Sequence, residues 1–193
     1  MSYSSAIRAA GLFAVLGALS GLVCAFTPIV DALNISLGWT RLFSESATVP
    51  PLPGAIFGLL LAFLIYRHTS SVLRAASGIV TSLVAWIIAV PVAEQFGEIW
   101  PGGLAGGAVG AALTIAGVAL AVPGYRSLWI MALTVLVGAV CGLLLVFMDS
   151  NASPLSMLPL YAVWQASLAA MIASGIAMGE TAEPHTLLTP AAG

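Results

Sequence analysis

Apolar residues in this chain come in long unbroken runs rather than in alternation with polar ones. Six runs stand out, at approximately 7–30, 52–66, 72–92, 102–122, 127–147 and 157–178. A hydrocarbon core about 30 Å thick takes roughly 20 residues of helix at about 1.5 Å each, so each run predicts a membrane-spanning α-helix. The alternating pattern that a membrane β-barrel strand needs is absent. The expected fold is therefore all-α: a polytopic membrane protein, a compact bundle of about six transmembrane helices in one domain over 1–193, with 179–193 as a tail. The second run is the shortest. It is preceded by Pro50, Pro51 and Pro53 and reaches only about 15 residues before Arg67, so it starts in the headgroup region or thins the bilayer. Arg8 before an apolar stretch is also how a signal peptide begins. No clean small-x-small cleavage site follows, and Gly21-Leu22-Val23-Cys24 lacks the small residue expected before a lipoprotein cysteine, so the first run reads as a retained helix.

Composition agrees with that class. Of 193 residues, 61% are hydrophobic and 6% charged, against about 25% charged in a soluble domain. The bilayer is the expected solvent. Five arginines, no lysine and seven carboxylates leave no basic tract for nucleic acid. With six spans, Arg8, Arg67, Arg74 and Arg126 fall on one side and only Arg41 on the other, so both termini are expected in the cytoplasm. The carboxylates Asp31, Glu45, Glu94, Glu98 and Asp149 fall on the second side. Short loops and the lack of lysine suggest a bacterial inner membrane. Residues 31–51 form the one long loop; its Leu33, Leu37, Trp39, Leu42 and Phe43 suit an interfacial segment or a cap over the bundle.

Small residues form the clearest local pattern. Gly102, Gly106 and Gly110 make one row four residues apart, and Gly103, Gly107 and Ala111 make the adjacent row, so two neighbouring helices can approach the fourth span closely. Gly17 with Gly21, Gly54 with Gly58, Gly138 with Gly142 and Gly175 with Gly179 repeat the spacing, and Ala6, Ala10, Ala14 and Ala18 form a stripe on the first span. Most such seams close within a bundle, but one left over suits a membrane partner. Spans two and four both open with Pro-Gly (Pro53-Gly54 and Pro101-Gly102) and close with Tyr-Arg, a similarity that helix starts and membrane boundaries also produce.

Chemistry is sparse. No ionisable group other than cysteine falls near the middle of a span, which disfavours a proton-driven pump. Prolines stay near span ends, so continuous helices are expected. Catalytic and nucleotide-binding motifs are missing, and neither metal nor cofactor is implied. Glu94 and Glu98, four apart, read as a solvated acidic loop before they read as a cation site. Gln165 is the one large amide within a span; hydrogen bonding to Ser20, Thr114 or a backbone carbonyl comes before orienting a neutral solute. Cys24 and Cys141 fall at similar depth and read as small apolar side chains.

The leading expectation is thus a non-catalytic structural or accessory subunit that acts through helix contacts with a membrane partner or with itself as a homo-oligomer. The alternative is a component that binds or transports a small-molecule solute. The six spans, the stripe Ala6/Ala10/Ala14/Ala18 and the long loop before span two resemble the substrate-binding subunits of energy-coupling-factor vitamin importers, in which alanine rows on the first helix contact a coupling subunit. The resemblance implies such a contact for the stripe and carries over no binding residue.

Overall fold

The structure is a computed structural model and describes residues 3–26, 52–96, 99–123, 125, 127–147 and 157–179. The 31–51 loop, Glu98, Arg126, Asp149 and the tail after Gly179 lie outside the described residues. All regular structure among the described residues is helical: α1 Tyr3–Ala25, α2 Leu52–Thr69, α3 Val72–Gln95, α4 Ile99–Ala121, α5 Leu128–Gly142 and α6 Leu158–Gly179. Six helical stretches are long and apolar enough to cross a membrane, which fits a multi-pass membrane protein.

Boundaries differ from the sequence expectation at several ends, for local reasons. Span two does not stop at Tyr66. It runs on through Arg67 and His68 to Thr69, whose hydroxyl donates to the Ile65 carbonyl at 2.8 Å and accepts the Ser71 N–H at 3.3 Å. Ser70 then takes a positive φ of 52°, and Ser71 caps α3 by accepting the Arg74 N–H. Eighteen residues make α2 long enough to span. Span one ends as helix at Ala25, short of the expected residue 30. Span five is α-helical only to Gly142 and tightens into a 3-10 segment, Leu143–Phe147; Ser127 caps its start. Pro53, Pro101 and Pro159 sit in first turns, where the missing N–H costs nothing. Pro91 lies inside α3, one turn from its end.

Each helix packs against the next in chain order, and α6 returns to close on α1 through the most extensive contact of all. The result is a ring in which α6 scarcely meets α2 or α4. Outward positions carry exposed large apolar side chains, among them Leu12, Val15, Leu19, Leu59, Phe63, Val80, Val84, Leu136 and Val140, a belt that suits lipid rather than water. The dry core fills one half of the ring. Phe13, Phe57, Leu61, Ile65, Ile115, Val118, Val122, Tyr125, Leu168, Ile172 and Ile176 are buried there in one cluster. Tyr125, between α4 and α5, is buried at that end; burial raises its pKa above the usual tyrosine range and keeps the hydroxyl neutral.

Candidate functional site: a cavity between the glycine face of α4 and the aromatic face of α6

Glycine decides how near α4 stands to its neighbours. A Cβ on Gly102 would run into the Ala93 backbone, and one on Gly106 would stand 2.8 Å from the Ala93 Cβ and 2.9 Å from the Ala89 carbonyl, so this row seats α4 on α3. The adjacent row faces α5: Cβ atoms on Gly103 and Gly107 would strike the carbonyls of Gly142 and Gly138, and the Ala111 side chain covers Gly138. Gly17 and Gly21 likewise seat α1 on α6, against the backbone of Gln165, Ala166, Tyr161 and Ala162. Gly54 and Gly58 of α2 meet Trp86, Ile79 and Ser82 of α3, so α3 receives a glycine row from each side. The Ala6/Ala10/Ala14/Ala18 stripe is half-buried at the edge of the α1–α6 seam, while Leu12, Val15 and Leu19 face outward.

With α3 and α5 drawn onto α4, a gap remains where α4 and α6 stand apart, bridged by the Trp164 ring at Gly110. It forms a cavity of about 540 Å³, bounded by Phe57 of α2, Trp86 and Ala89 of α3, the Gly103/Gly106/Gly107/Gly110 face of α4, and Tyr161, Trp164 and Gln165 of α6. That volume lies in the ordinary range for small-molecule sites, about 300–1,000 Å³. Glu94 is at the rim and exposed. The aromatic rings brace one another: Phe57 and Trp164 have centroids 5.7 Å apart, and Trp86 and Tyr161 5.5 Å. Beyond Thr114 and Gln165 the dry core begins, so Ile115, Val118, Leu168 and Ile172 close the far end.

Three polar side chains line its inner part, Gln165, Thr114 and Ser82, of which Ser82 donates its hydroxyl to the Gly54 carbonyl at 2.8 Å. Gln165, 1% exposed, accepts the Ser20 hydroxyl at 2.6 Å on Oε1 and donates from Nε2 to the Cys24 sulfur at 3.5 Å. Ser20 is therefore the partner, and Thr114 is not joined to Gln165. Thr114, also 1% exposed, has no hydrogen-bond partner for Oγ1. Its behaviour departs from that of other helical hydroxyls here: Thr69, Thr81, Thr134 and Ser174 each donate to the carbonyl four residues back. An unsatisfied buried hydroxyl costs about 1–3 kcal/mol.

The two cysteines do not meet. Cys24 lies against Gln165 and the Pro53 carbonyl, whereas Cys141 faces Ser167, and both are free thiols. No group of three potential metal ligands occurs among the described residues. The cavity's aromatic wall was not singled out in the sequence; the available signal was Trp86, nine residues inside the end of α3. No known protein family matches the chain, and neither a curated protein nor a solved structure resembles it.

Proposed function

We propose that the protein is a membrane-embedded solute-binding component that receives a small molecule in the cavity between α4 and α6. The observation that carries this reading is the unpartnered Thr114 hydroxyl at the inner end of a mostly apolar cavity, because a few convergent polar groups in an apolar pocket are what small-molecule sites are made of. The glycine rows that suggested a partner are occupied inside the bundle by α3, α5 and α6, which takes away the main argument for an accessory subunit. We further propose that both termini are cytoplasmic, on the four-to-one arginine asymmetry, and that the membrane is a bacterial inner membrane. The cavity then opens outward, since the starts of α2, α4 and α6 lie at its mouth. The dry core beneath it makes a dead end, suited to capture; onward movement needs a rearrangement or a partner, as the importer resemblance implies.

Mild-detergent purification from native membranes, with mass spectrometry of both protein and extracted solute, tests the reading. A small molecule at near one-to-one stoichiometry supports it. A protein partner at fixed stoichiometry with no retained molecule contradicts it and restores the accessory-subunit reading.

A further inference from the structure

We infer that the cavity's ligand is an uncharged molecule with a flat, unsaturated ring and a hydrogen-bonding group that engages Thr114; this rests on the solute-binding reading above. Flatness follows from the walls. One wall is backbone, the Gly103/Gly106/Gly107/Gly110 face of α4, which presents no side chains to interlock with a bulky or puckered body. Trp164 closes on α4 at Gly110, where an added Cβ would stand 3.2 Å from the ring edge, so the open space lies beside that contact, along Gly103, Gly106 and Gly107. Trp86, Tyr161 and Phe57 continue that aromatic side. A slot with backbone on one side and rings on the other favours a planar ligand that stacks, an arrangement worth about 0.5–1.5 kcal/mol per aromatic pair beyond burial.

Charge is excluded at the inner end. Among the described residues no arginine, lysine or histidine lines the cavity, so an anion there would be buried without a counter-charge from them. Glu94, the one lining carboxylate among the described residues, is exposed at the rim. It belongs to the level of Gly102, since both Gly102 and Gly106 pack on neighbouring Ala93, and Gly102 lies twelve residues, about 18 Å of helix, from Thr114. Glu94 therefore cannot neutralise a cation held at Thr114. The polar side chains lining the cavity toward that end are the Thr114 hydroxyl, free to donate or accept, the Gln165 amide, whose oxygen already accepts from Ser20, and Ser82, whose hydroxyl already donates to the Gly54 carbonyl. A carbonyl, amide or hydroxyl on the ring satisfies Thr114; a hydrocarbon does not.

The test uses four probes of similar size on the full chain in lipid nanodiscs, with equilibrium dialysis and tryptophan emission as readouts. Benzamide is flat and neutral, benzoate and benzamidine share its shape with opposite charges, and cyclohexanecarboxamide keeps the amide without the flat ring. Benzamide is expected to bind saturably and at least tenfold tighter than the other three, to lose affinity in Thr114→Val, and to regain it in Thr114→Ser. Equal affinity for cyclohexanecarboxamide overturns the flat-ring assignment, and preference for benzoate or benzamidine overturns neutrality; both leave the solute-binding reading standing. Absence of saturable binding by all four overturns the inference, and if native membranes also yield no retained solute, the solute-binding reading fails with it.

Discussion

The same substitution at two glycines should change stability in opposite directions. Gly107 lies in the α4–α5 seam, where an added Cβ meets the Gly138 carbonyl and stands 3.1 Å from the Gly142 Cα. Gly11 is on the outward face of α1, with nothing within 4 Å of the same atom. In both helices, alanine gains up to about 1 kcal/mol in intrinsic propensity over glycine. At Gly107 that gain is opposed by overpacking, which costs about 1–3 kcal/mol. The upper end applies because the obstacles are backbone atoms, which cannot rotate away, and because α5 cannot retreat without opening its contact at Gly103 as well. Gly107→Ala should therefore lower stability by about 1–2 kcal/mol, while Gly11→Ala leaves it unchanged or raises it by up to about 1 kcal/mol. Denaturation in mixed micelles of increasing sodium dodecyl sulfate, followed by circular dichroism, measures both. Equal effects of the two substitutions would refute the claim that glycine sets the α4–α5 distance.

Other consequences can be checked in the same preparation. Gln165→Leu leaves the Ser20 hydroxyl without its acceptor and should cost about 1–3 kcal/mol; the Ser20→Ala, Gln165→Leu double variant should lose clearly less than the sum of the singles, and strict additivity would mean the bond is absent. Thr114→Val removes an unpartnered buried hydroxyl at nearly constant shape, so the ligand-free protein should gain about 1 kcal/mol; a loss of that size would mean Thr114 is already satisfied. Oxidation with copper–phenanthroline should give no disulfide within one chain, because Cys24 meets Gln165 and Cys141 meets Ser167, residues two apart on α6. A Cys24–Cys141 linked peptide would contradict that arrangement.

Composition and run length carried the helices into the sequence reading, because a helix that crosses lipid must satisfy its backbone internally and present apolar side chains along its length. The two glycine rows of α4 were legible for a similar reason: a four-residue spacing places small residues on one stripe whatever lies opposite. Which helices they face was not, since α3 and α5 are identified only by the fold. Helix ends turned on single side chains, as at Thr69, whose hydroxyl carries α2 past the arginine that looked like its boundary. The cavity was hidden for a more general reason. It exists because α4 and α6 meet so little, and no pattern within either helix records how far apart two helices stand. Gln165 shows the limit well: Ser20, Thr114 and a backbone carbonyl were all candidate partners from the sequence, and only the fold tells that Ser20 takes that place and leaves Thr114 lining the cavity without a partner.

The claim that a solute occupies this cavity is tested most directly by an experimental structure of the protein, purified gently from native membranes and held in lipid nanodiscs with no ligand added. The account predicts density for a small molecule in the cavity lined by the α4 glycine face, Trp86 and Tyr161, with a polar atom within hydrogen-bond distance of Thr114 Oγ1. A lipid acyl chain in that space, or a collapsed cavity with Thr114 donating to the Gly110 carbonyl, would contradict it.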